Sequence, residues 1–233
     1  MKRNPSAAFT LIELLVVIAI IAVLASIAVP VFSTVQERGA QTKDLSNAKQ
    51  IALACKLFAA DNDGKFPSLD GRAAEPPAGV PATSNAVLAS LIPTYIPTEN
   101  IFYLAKSKWS PTAGDEKTTL PADRLEAGSN NFAYELGLSE TDNPRYPLIA
   151  DAPATGGTSA VWSTDPSAKG GVWKGKKAVV VRVDQSGAIE TCLPGAAAGQ
   201  TIIKGQTGTG TVTDIFVPVT GQWLSGATLL VPL

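Results

Sequence analysis

Apolar positions crowd the start of the chain. Residues 6–30, SAAFTLIELLVVIAIIAVLASIAVP, form an almost unbroken hydrophobic run whose sole charge is Glu13. Residues 9–29 suffice for a helix to cross a hydrocarbon core of roughly 30 Å. Lys2 and Arg3 precede the run, so the positive-inside rule predicts a cytoplasmic N-terminus and a single pass that carries everything after Pro30 across the membrane. An ionised acid at the centre of such a helix costs roughly 2.5–3.5 kcal/mol on insertion scales, so Glu13 needs a function or a route to water. A secretory signal peptide is the alternative reading, since SIA at 26–28 offers a small-x-small cleavage pattern. Signal peptides, however, carry apolar regions of about 7–15 residues, and a buried acid is not usual in them.

Beyond Pro30 the pattern becomes helical with one apolar face. Val31, Val35, Leu45, Ala48, Ile51, Ala52, Cys55 and Phe58 recur mostly at three- and four-residue steps. Pro30 lacks an N–H and crowds the carbonyl of Ser26, which predicts a kink at Pro30 within one long helix, roughly 80 Å from Phe9 to about Asp61. Gly39 is a flexible point along it. Residues 30–61 form its second half, and the segment DNDGKFP stops it. Asp61 and Asp63 do not make a calcium loop, because aligning Gly64 with the loop glycine puts Ala59 at the first ligand position. Residues 62–147 read as a loop-rich connecting region with a short helix at SNAVLASLIPTYI, and residues 148–233 as β-rich. The clearest hairpin is KKAVVVRVDQSGAIETCL. A type I turn with Gly187 at the bulge pairs Val183 with Ile189, Arg182 with Glu190 and Val180 with Cys192. Val179, Val181, Val183 and Ile189 then share the core face. The alternating tail predicts two or three further strands.

Charge removes function classes rather than adding one. Nineteen Lys and Arg balance 20 Asp and Glu, so no nucleic-acid partner is expected. With no histidine, His-dependent acid–base and nucleophile chemistry and most transition-metal sites are excluded, so the sequence predicts no enzyme, no metal and no cofactor. Cys55 and Cys192 permit one disulfide in an oxidising compartment, although the hairpin register places Cys192 on the face shared with Arg182 and Glu190. Trp109, Trp162, Trp173 and Trp223 suit a carbohydrate or partner surface, but scattered tryptophans more often pack cores and rims.

The segment AFTLIELLVVIAIIAVLASIAVP resembles the N-terminus of type IV pilin-like proteins, most closely the pseudopilins of type II secretion systems. The resemblance implies an α+β fold, a long N-terminal transmembrane helix packed on an antiparallel β-sheet domain. It also implies that residues 1–8 are a leader, cut between Ala8 and Phe9 by a membrane-embedded prepilin peptidase. Ala8 stands where the family usually has Gly and keeps its small size. Phe9 would then be the N-methylated first residue and Glu13 the assembly carboxylate. A Phe9 amine and a neighbouring subunit's Glu13 would neutralise each other inside an apolar bundle and so fix one axial stagger. The simpler alternative is that Glu13 sits near the membrane surface with its carboxylate in water. The implied partners are further copies in a filament, other pseudopilins or pilins, the peptidase, an inner-membrane assembly platform and membrane lipid, with the C-terminal domain in the periplasm. A type IV pilin of a surface fibre for adhesion, motility or DNA uptake shares every N-terminal feature. A secreted soluble binding module is the rival from another class.

Overall fold

The computed structural model describes residues 10–69, 82–116, 124–157, 160–195, 200–206, 212–217, 224 and 227–233. One helix, α1 (Leu11–Ala60), begins the fold, and the chain divides into two units, Met1–Thr42 and Lys43–Leu233. In the first unit the apolar side chains from Leu11 to Val35 lie exposed on every side of the helix, the pattern of a segment meant for lipid or for other helices. The helix runs on through Pro30. Its hydroxyls bond back to carbonyls about a turn earlier, Ser26 Oγ to Val23 O at 2.7 Å and Ser33 Oγ to Pro30 O at 2.9 Å, so they need no water.

In the second unit, Ala48, Ile51, Ala52, Cys55, Phe58 and Ala59 bury one face of α1, small residues alternating with large ones so that the backbone approaches the sheet closely. The helix stops at Ala60, where Gly64 N donates to Ala59 O at 2.9 Å and Asp63 and Gly64 take left-handed φ of 55° and 78°. A short helix, α2 (Ser84–Leu88), follows, with Thr83 accepting from Ala86 N as its cap.

The strands are β1 (Phe132–Leu136), β2 (Pro147–Asp151), β3 (Trp162–Ser163), β4 (Lys177–Arg182), β5 (Gly187–Thr191), β6 (Leu193–Pro194), β7 (Gln200–Ile202), β8 (Lys204–Gln206), β9 (Val212–Asp214) and β10 (Thr228–Leu230). Five of them form an antiparallel sheet in the order β10-β1-β2-β4-β5. Residues alternate across it. Phe132, Tyr134, Ile149, Val179 and Val181 join the face packed by α1, while Ala133, Ala150, Ala178, Val180 and Cys192 face a second cluster with Trp162, Ile203 and Phe216. The fold is the α+β arrangement of a long apolar N-terminal helix and an antiparallel sheet domain. Strand β1 lies inside what the sequence reads as a connecting region.

The β4–β5 hairpin keeps its predicted faces but not its register. Val179 pairs with Ile189 and Ala178 with Glu190. The turn falls at residues 183–185, closed by Gln185 N to Arg182 O and Arg182 N to Ser186 O, both 2.9 Å. Gln185 takes the left-handed position at φ 68°, in place of Gly187. Three tertiary and local bonds select this earlier turn. Val183 N is engaged by Tyr146 O at 3.0 Å, Asp184 Oδ1 accepts Ser186 N at 2.8 Å, and Gln185 Nε2 reaches Ala52 O at 3.2 Å. Ile189 thereby trades Val183 for Val179, an even displacement, so inward residues stay inward.

Candidate functional site

At the N-terminal end the chemistry gathers on Thr10 and Glu13. Thr10 N and Thr10 Oγ1 both donate to Glu13 Oε2, at 2.8 and 2.7 Å, and Glu13 N donates to Thr10 Oγ1 at 3.3 Å. This is a reciprocal capping box. The carboxylate satisfies a backbone N–H that an apolar surrounding would otherwise leave bare. The sequence carried the signal, T-L-I-E ahead of an apolar run, and reading Glu13 only as an intramembrane charge missed it. Ala8 and Phe9 lie outside the described residues, so the cleavage and methylation readings stay expectations. Pro30 sits inside the continuous helix, with its carbonyl accepting from Ser33 Oγ and, at 3.2 Å, from Thr34 Oγ1.

Cys55 and Cys192 are not bridged. They belong to separate clusters on the two faces of the sheet, so the five-stranded layer stands between them. Arg182 and Glu190 do share a face and pair at 2.6 Å, diagonally rather than directly opposite. Asp61 accepts from Tyr95 Oη at 2.9 Å. Among the described residues no cluster of three metal-ligating side chains occurs. Trp162 and Trp173 are core residues, 1% and 2% exposed, Trp109 is half-buried, and Trp223 lies outside the described residues.

Sequence reasoning also missed a set of buried acids. Asp44 of α1 is fully buried and faces Asp151, at the end of β2 and 4% exposed. Trp173 Nε1 and Val179 N both donate to Asp151 Oδ2, each at 2.7 Å. Among the described residues, neither Asp44 oxygen nor Asp151 Oδ1 has a hydrogen-bond partner at bonding distance. Two adjoining carboxylates cannot both ionise in a dry interior. Asp151, which accepts two N–H groups, is the better placed of the two to carry charge, and Asp44 to hold a proton. Burial, then the Asp151 charge, pushes the Asp44 carboxyl well above the usual range. On the opposite face Glu135 is pushed up by burial and then by Asp214, and is likewise held neutral. The available signal was an acid inside an apolar run, FAYEL and PLIAD.

Residues 3–29 match the family described as the prokaryotic N-terminal methylation motif. Over 63 residues the chain is 44% identical to the type IV major pilin protein PilA of Myxococcus xanthus (strain DK1622), an alignment covering 27% of this chain and 29% of that one. The chain thus spans under a third of the length of the curated relative it matches. No solved structure matches. Over these parts of its length the chain is similar to type IV pilin-like proteins, and the prepilin-type methylation motif lies at residues 3–29.

Proposed function

We propose that this chain is a structural subunit of an extracytoplasmic filament, held in the bacterial inner membrane by residues 9–29 until it is drawn into a bundle of like helices. The observation that carries the reading is a continuous apolar helix exposed on every side, headed by a single capped carboxylate. Such a surface must be covered, and lipid and neighbouring helices cover it equally well. The positive residues before it favour a periplasmic domain. Cleavage before Phe9 by a prepilin peptidase would create the amine that Glu13 of an adjacent subunit neutralises. An inner-membrane platform would pass subunits from lipid to filament.

The similarity to a major pilin favours a surface fibre. The N-terminal resemblance to pseudopilins supports the second reading, a type II secretion pseudopilus whose extension drives folded cargo outward. Intact-mass analysis of membrane-extracted protein tests the shared core. The expected product lacks residues 1–8 and carries one methyl group, and a chain starting at Val29 would overturn the reading in favour of a secreted soluble module. The gene's neighbours separate the two filaments, a retraction ATPase marking the fibre and a secretin with secretion genes the pseudopilus.

A further inference from the structure

Polar atoms without partners converge on one cleft in the C-terminal unit. Its walls include Trp109, Trp162, Trp173, Leu104, Asn131 and Asp151. Of the nine buried side-chain N and O atoms lacking a hydrogen bond among the described residues, five belong to residues lining this cleft: Trp109 Nε1, Trp162 Nε1, Asn131 Oδ1 and Nδ2, and Asp151 Oδ1. Asp151 is already engaged by Trp173 and Val179 through its other oxygen. Two indole N–H groups and a whole carboxamide are left, and each such group destabilises the fold while unmatched.

The cleft is built rigidly. Asn131 is fixed by its backbone, N to Phe102 O at 2.9 Å and O from Ala152 N at 2.8 Å, so its side chain is free to serve a ligand. Trp173 is anchored by Asp151, while Lys106 and Lys169 lie over the rings of Trp173 and Trp109 at 5.6 and 5.3 Å. The adjoining loop turns at Gly170, φ 77°, and a Cβ on Gly171 would land on the carbonyl of Asp165.

The atoms select a ligand class. The Asp151 charge disfavours an anion, and a metal ion requires more oxygen ligands than the one spare carbonyl. A group that accepts from indole N–H and donates to Asn131 Oδ1 is a hydroxyl. The half-buried Trp109 at the mouth suits the C–H face of a sugar lying outside. There is room for about one water-sized group, so an arm enters rather than a ring. We propose that this cleft binds a neutral saccharide through one hydroxyl or hydroxymethyl arm, hydrogen-bonded by Trp109, Trp162 and Asn131.

Ordered water offers the same hydroxyl chemistry, and the experiment separates the two. Saturation-transfer NMR is run on the full chain in a detergent without a sugar head group, with glucose, galactose, mannose, N-acetylglucosamine and glycerol as probes. Saturable binding of at least one sugar in the millimolar range is expected. Asn131→Leu should abolish it without lowering Tm, because no protein partner is lost. Trp109→Phe, which removes the indole N–H together with part of a half-buried ring, should weaken it roughly five- to tenfold. No saturable transfer from any sugar, or titrations unchanged in both variants, would overturn the proposal and leave water as the occupant.

Discussion

Thr10 and Glu13 show one carboxylate serving two needs, and the needs come apart by mutation. Thr10→Val removes the hydroxyl from the cap and should cost about 1 kcal/mol of helix stability while filaments still form. Glu13→Leu should insert in the membrane normally, since it removes a charge from the span, yet fail to assemble, because a buried amine without its carboxylate loses roughly 3–5 kcal/mol. Membrane fractionation with filament microscopy checks both, and normal Glu13→Leu filaments would reduce the residue to its capping role. Asp44 and Asp151 give the second residue-scale prediction. Burial raises both carboxyls in the folded chain, so the folded state keeps a proton that the unfolded chain releases above about pH 4. That stability is whole below the ordinary carboxylate range and is lost as pH rises toward the folded value, by up to about 1.4 kcal/mol per pH unit for the one proton the pair holds. Urea midpoints should therefore fall as pH rises above the ordinary carboxylate range. Asp44→Asn, which fixes the neutral form, should reduce the slope and leave the part that Glu135 contributes. Asp151 and Glu135 were visible as charges within apolar runs, Asp44 amid polar residues was not, and one sequence does not tell which acid faces another, the pairing that decides the proton.

Elements were legible in proportion to how locally they are determined. The long run of apolar residues specified α1, and Asn62, Asp63 and Gly64 specified where it stops. Hairpin faces followed from alternation, whereas its register depended on Tyr146 and Ala52, distant residues that hold Val183 and Gln185. Strand β1 stayed hidden because its five residues lie among loop-forming sequence and pair with strands outside any tight turn. The loop carrying Trp173 is the element most sensitive to one methyl group. Gly171→Ala drives a Cβ into the Asp165 carbonyl and should destabilise the C-terminal unit by about 2 kcal/mol, within the usual range for overpacking, as a lowered urea midpoint with unchanged m.

At the scale of the whole molecule, Cys55 and Cys192 on opposite faces of the sheet predict equal gel mobility with and without reductant. Thiol reagents should react slowly with the folded chain and with two groups once it is unfolded, both being buried. Long-range closure matters more. Tyr134 of β1 pairs with Leu230 of β10, and Ser84 N, at the start of α2, donates to Val231 O at 3.1 Å. Deleting residues 228–233 should therefore abolish cooperative unfolding altogether rather than trim an edge, as followed by circular dichroism. A chain threaded outward through a translocon emerges N-terminal part first, so β1 arrives long before the strand that flanks it. Timing follows from this: the domain cannot finish folding while its last hundred or so residues are still in transit. On the proposed topology, a stalled or truncated product would keep an open sheet edge, a template for pairing with another chain.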